Sequence, residues 1–219
     1  MGIFYFPCNF VYWKNVNNHE KHKNWILDTI KNNEGAFTHH TLLSNGTSTH
    51  KPYEYDGVHS INKDLLNNKE LMDDVIWKTL DEVINILNSR KNTPNININE
   101  TFIGNLWLSM YDKNSTVNIH NHYKNDVIRV NNENYKSSFS LIYIIQDPNE
   151  KNTTVFIEPN TKGTSLTGMK EIIFNTKNVD EIGEGTVLIF PSSLDHLVDK
   201  TILSGRVIMS ANLISDIVC

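Results

Sequence analysis

Between Lys69 and Ser89 the sequence KELMDDVIWKTLDEVINILNS places Leu71, Val75, Ile76, Leu80, Val83, Ile84 and Leu87 at three- and four-residue steps. That spacing draws one apolar stripe along a helix and predicts a helix over 69–89 with one face packed against the rest of the chain. A shorter surface helix is predicted over His19 to Asn32, where Trp25, Ile26 and Ile30 stand among polar residues and Gly35 follows. The opening MGIFYFPCNFVYW is apolar but broken by Pro7 and Asn9, and it lacks a basic leader and a small-residue cleavage site, so it reads as a strand and not as a signal peptide. FTHHTLLSNGTST reads as a strand and turn, with Asn45-Gly46 as the turn signal.

From about Asn97 the pattern changes to short β-prone runs separated by Asn, Gly, Asp and Pro: FIGNLWLSMY, VNIHNHY, SSFSLIYIIQ, TTVFIEP, KEIIFNT, TVLIFP and RVIMSANLI. Many short strands without alternating helices predict a sandwich or barrel and argue against a βαβ sheet. No linker and no internal repeat interrupts the chain. The expectation is one domain over 1–219, with a helical and mixed part over 1–96 and a strand-rich core over 97–219, the long helix covering one sheet.

Composition narrows the class. The chain has 219 residues, 39% of them hydrophobic and 21% charged, enough to bury a core and typical of a soluble globular protein. A net charge of −5 with no dense basic run argues against a nucleic-acid surface. No apolar run reaches the roughly 20 residues of a membrane span. Cys8 and Cys219 sit at opposite ends with no CxxC spacing, which suggests neither a disulfide framework nor a zinc ribbon and favours a reducing, cytoplasmic compartment.

The candidate chemistry lies in the second half. His120 and His122 are separated by one residue, so on a strand both side chains project from one face, as a metal chelate needs. The plainer alternative is a polar strand edge with two solvated histidines. In GEGTVLIFPSSLDHLVDKTILSGRVIMSANL an apolar strand, Thr186 to Phe190, ends at Pro191, a polar turn follows, and His196 opens the next element. Arg206 comes ten residues later and opens a further strand. The other histidines, His19, His22, His39, His40, His50 and His59, fall in helical or loop-like stretches and read as solvated groups or simple hydrogen-bond partners.

This combination resembles the 2-oxoglutarate/Fe(II) dioxygenase superfamily, in particular its phage- and marine-bacterial-type members that carry HxH in place of the usual HxD. The resemblance covers roughly Asn105 to Leu213, and FPSSLDH followed by Gly205-Arg206 is its most specific part. It implies a double-stranded β-helix, a cupin-like jelly roll with flanking N-terminal helices. It also implies an iron(II) site at His120, His122 and His196, and Arg206 gripping the far carboxylate of 2-oxoglutarate. Imidazole suits Fe(II), a facial triad leaves positions for 2-oxoglutarate and O2, and a guanidinium fork meets a carboxylate bidentately. Alternation along RVIMSANL puts Ser210 on the face of Arg206, where it can add a hydrogen bond to the cosubstrate. Tyr111, nine residues before His120, stands where related hydroxylases often carry a cosubstrate-binding tyrosine, though a core aromatic is an equal reading. Ser140 and Tyr143 point to opposite faces, so only one of them can line the pocket.

His122 stands where the family usually has an acid. It either binds iron directly, or stands behind the ligands and leaves an open position, or yields to an oxygen from Asp126; direct binding is the favoured expectation. The implied enzyme is a hydroxylase of a small molecule, nucleoside or peptide, with loops Tyr123–Asn134 and Pro159–Gly168 facing the substrate. Three rivals stand beside it. A cupin without 2-oxoglutarate matches the spacing of Gly185, Pro191 and His196, but leaves Arg206 without a task. A structural jelly roll would leave the histidines to coincidence. An HNH nuclease, spelled by His120-Asn121-His122, would need a basic surface that the composition lacks.

Overall fold

The computed structural model describes residues 1–5, 9–39, 42–50, 60–90, 95–125, 127–130, 133–148, 154–158 and 172–218. Asp126, His40, His59, all of Pro159–Gly168 and part of Tyr123–Asn134 lie outside them.

Two antiparallel sheets face each other. The larger runs β1 (Gly2–Tyr5), β2 (Phe10–Asn15), β12 (Thr186–Pro191), β9 (Phe139–Gln146), β14 (Arg206–Val218), β5 (Asn95–Tyr111), β4 (Gly46–Ser48), β3 (Thr38–His39), in that spatial order. The smaller runs β11 (Ile173–Asn175), β10 (Thr154–Ile157), β13 (Asp195–Val198), β6 (Val117–His120). A hairpin of β7 (Val127–Val130) and β8 (Glu133–Lys136) stands apart and falls where the sequence reads as an unpatterned loop. The N-terminal strands β1 to β4 extend both sides of the large sheet, so the strand-rich core takes in residues well before position 97.

The large sheet is buried on both faces, which is why β9 reads FSLIYIIQ without alternation. Its outer face packs Leu108, Leu141, Tyr143, Val187 and Met209 against the helices. These are α1 (His19–Lys31), α2 (Ser60–Asn67) and a long helix made of α3 (Lys69–Leu71), a wider-wound stretch Met72–Trp77 and α4 (Lys78–Asn88). Leu71, Val75, Ile76, Leu80, Val83 and Ile84 are all buried, as the stripe predicts. The wide stretch, where the Lys78 N–H reaches back to the Asp73 carbonyl, is a feature that periodicity does not announce. The inner face carries Ile142, Ile144, Leu188, Phe190 and Ile208 against Phe156, Phe174 and Val198 of the small sheet. Among the described residues no helix is long and apolar enough to cross a membrane.

Entry into β14 depends on Gly205, whose φ of +95° lies in the left-handed region that glycine takes without a Cβ penalty. Its N–H donates to the Tyr111 carbonyl and its own carbonyl accepts from Gln146, which starts Arg206 in register opposite Tyr111.

Candidate metal centre and adjoining cavity

Three of the sequence-predicted residues meet at the small sheet. His196 on β13 pairs directly with His120 on β6, so the two rings share the inner face, with centroids 4.2 Å apart. The β6 strand has one extra residue between this pair and the next, Val198 with Val117, a bulge that turns its end. His122 lies 5.1 Å from His120 and 5.2 Å from His196, centroid to centroid. One ligand atom from each imidazole lies within 4.8 Å of the others, an arrangement that could hold a metal ion.

The route to this convergence differs from the expected one. β6 stops at His120, and His122 opens a helical turn, α5 (His122–Asn125). Strand alternation therefore does not aim His122. The carbonyl of Ser192, in the turn between β12 and β13, accepts the N–H groups of both His122 and Tyr123, at 2.9 and 3.0 Å, and anchors that turn.

Two tautomers are fixed by the backbone. The Nδ1–H of His120 donates to the Asn118 carbonyl at 2.8 Å and that of His196 to the Leu194 carbonyl at 3.2 Å. Each bond leaves the Nε2 lone pair as the ligating atom, the usual support of a metal-bound histidine. His196 is 3% exposed, packed edge-on by Phe190 at 4.9 Å. Burial, with the charges of His120 and His122 adding to it, pushes His196 well below the ordinary histidine value. A neutral imidazole is the ligating form. The donor set thus fits a transition metal that accepts imidazole, with no carboxylate among its three members.

The centre opens into a cavity of about 780 Å³, counting its open mouth. Tyr111, Ser109 and Trp107 of β5, Ser210 and Ile208 of β14, and Ser140 of β9 line it from the large sheet. Tyr143 points the other way, into the helix layer, where its hydroxyl bonds His19 Nδ1 at 2.7 Å; of the two candidates on β9, Ser140 is the cavity residue. Arg206 is 1% exposed and is not itself on the cavity wall. Its guanidinium lies 4.8 Å from the centre of the Tyr111 ring, and Tyr111, its cross-strand partner, is on the wall. Burial pushes the Tyr111 phenol up, against the opposing pull of the Arg206 charge.

One wall residue has no signal in the sequence. His50, just after β4, packs at a tilt against Trp107 with ring centroids 4.5 Å apart, and Trp107 in turn lies 5.8 Å from His122. A histidine after an Asn-Gly turn reads as solvated, and only the fold brings it to the cavity. His22, expected to be either solvated or a simple hydrogen-bond partner, is the latter, buried in a bond to Asp74.

No protein-family model matches the sequence, and no curated protein sequence matches it. Solved structures do match. The structure of OsALKBH1 aligns over 95% of this chain and 99% of its own, at 12% identity and a TM-score of 0.57. The non-heme alpha ketoglutarate dependent epimerase SnoN from nogalamycin biosynthesis aligns over 92% of this chain and 76% of its own, at 7% identity and a TM-score of 0.56. A prolyl hydroxylase from Trichoplax adhaerens, in complex with a hypoxia inducible factor oxygen degradation domain peptide fragment, aligns over 92% and 82%, at 12% identity and a TM-score of 0.51. The fold is the jelly roll of the 2-oxoglutarate/Fe(II) oxygenases, as the sequence resemblance implied.

Proposed function

We propose that the protein is an Fe(II)- and 2-oxoglutarate-dependent oxygenase that hydroxylates its substrate. One observation carries the reading: three imidazoles converge on the inner face of the small sheet, opposite a large sheet that presents Tyr111, Ser210 and, behind Tyr111, Arg206. His120, His122 and His196 hold the metal. Arg206 grips the far carboxylate of 2-oxoglutarate through its planar fork, and Tyr111 and Ser210 orient the cosubstrate by their hydroxyls. Ferrous iron bound there supplies the coupling of 2-oxoglutarate decarboxylation to O2 activation. The chain's own contribution is placement and shelter: Ile142, Phe190 and Ile208 keep water from that side of the cavity.

The three-histidine donor set brings no negative charge, so the ion retains its full charge and favours anionic partners such as a chelating keto acid. The substrate is a small molecule, nucleoside or peptide, a range that fits neighbours as different as an epimerase of nogalamycin biosynthesis and a prolyl hydroxylase. A reducing, cytoplasmic setting suits ferrous iron.

A second reading, a metal protein of the cupin type without 2-oxoglutarate, is favoured by one observation: Arg206 stands behind Tyr111 and not on the cavity wall. Anaerobic titration of the Fe(II)-loaded protein with 2-oxoglutarate separates the two. A metal-to-ligand charge-transfer band in wild type, weakened in Arg206→Ala, supports the oxygenase. Tight metal binding with no band supports the second reading, and no metal binding overturns both.

A further inference from the structure

One short turn bonds to His122, to His196 and to Asn121, the residue that follows His120. Between Pro191 and Asp195, the Ser192 carbonyl accepts from the His122 and Tyr123 N–H groups, and the Leu194 carbonyl accepts the Nδ1–H of His196. Asp195 Oδ1 accepts from Asn121 Nδ2 at 2.6 Å, and Asn121 is the residue between His120 and His122. The Ser192 hydroxyl, bonded to Ser137 at 2.6 Å and Ser140 at 2.8 Å, ties the turn to the start of β9. Because β6 ends at His120, the direction of His122 depends on the conformation of Asn121. Asn121 is 6% exposed, so water competes weakly for its amide.

We infer that Asn121 and Asp195 are positioning residues for the metal centre, their hydrogen bond holding His122 in reach of His120 and His196 where the chain leaves the strand. The inference rests on the metal-binding part of the proposed function and is independent of 2-oxoglutarate. The bond from an amide to a carboxylate is charge-assisted and directional, which suits it to fixing one backbone conformation. Partners that orient metal ligands in this way change metal affinity by about 10- to 100-fold when removed.

Titration of the metal-free full chain with Co(II) tests it, reading the dissociation constant and the ligand-field spectrum, with the unfolding midpoint of the metal-free protein alongside. Asn121→Ala and Asp195→Ala each weaken Co(II) binding by about 10- to 100-fold and alter the spectrum. The double alanine variant is no weaker than the worse single one by more than about threefold, because both remove the same bond. The exchanged pair, Asn121→Asp with Asp195→Asn, reverses donor and acceptor and restores both affinity and spectrum. A purely structural role moves the unfolding midpoint and leaves the affinity and spectrum of the folded protein unchanged, and that result overturns the inference. So does an exchanged pair that binds no better than the alanine variants. If the alanine variants do not fold, the exchanged pair decides alone: wild-type binding supports the inference and weak binding overturns it. Wild type that binds no Co(II) overturns the metal reading itself, and this inference falls with it.

Discussion

His120 and His196 are cross-strand partners that use the same device: each donates its Nδ1–H to the carbonyl two residues upstream, Asn118 for one and Leu194 for the other. Two Nε2 lone pairs are thereby presented to one point before any ion arrives, so little tautomer or rotamer freedom is lost on binding.

Metal binding should therefore stabilise the fold and be removable. Free Co(II) at 100 times its dissociation constant is expected to raise unfolding stability by about 2.7 kcal/mol, and chelation to reverse it. His120→Ala should abolish the gain. Urea unfolding with and without metal checks this.

Arg206→Ala should weaken 2-oxoglutarate binding roughly 10- to 100-fold, the cost of losing hydrogen bonds to a charged group. Co(II) affinity should stay unchanged, because Arg206 belongs to the large sheet and the histidines to the small sheet and its adjoining turn. Parallel titrations of metal and cosubstrate separate the two effects.

Phe156 is fully buried on β10, against Phe190 at 4.8 Å and His196 at 5.9 Å between ring centroids. Phe156→Ala should cost about 3–5 kcal/mol from lost burial and the cavity left behind. Equilibrium urea denaturation measures it.

Gly205→Ala should cost about 1–2 kcal/mol, the penalty of a Cβ in the left-handed region. The nearest side-chain atom to that Cβ is Gln146 Nε2 at 3.5 Å, an ordinary contact, so the loss is one of backbone strain and not of crowding.

Burial pushes the Asp74 carboxyl up, but hydrogen bonds from Lys78 and His22 outweigh it and hold the group below its ordinary value. The unfolded chain then binds more protons than the folded one as pH falls below about 4, so stability drops through that range. Asp74→Asn should be less stable at pH 7 and lose less on acidification. Denaturation curves at pH 7 and in the acid range test both halves.

The long helix, the short strands and the pair of sheets were legible in the sequence because burial imposes period on elements that face a single neighbour. The stripe from Leu71 to Ile84 is such a case, whereas Phe139 to Ile145, buried on both faces, was legible as an unbroken β-prone run. The wide helical stretch at Met72–Trp77 was not, because a π turn keeps the same apolar residues inside. The candidate ligands His120, His122 and His196 were legible by type and spacing, yet the strand alternation that suggested His122 is not what delivers it. Its helical turn depends on Ser192, a contact across some seventy residues of sequence, which no local pattern encodes. His50 was missed for the same reason, since its neighbours Trp107 and the cavity exist only once β4 pairs with β5.

His120 and His196 hang from one sheet and His122 from the turn that follows it, while Tyr111, Arg206 and Ser210 belong to the other sheet. Under the proposed function, a dicarboxylate held between them would be measured by the distance between the sheets, and that distance is kept by core side chains such as Phe156, Phe190 and Ile208. On that reading the hydrophobic core would act as a calliper, and trimming a wholly apolar residue would shift which length of keto acid is preferred, without altering a single polar contact.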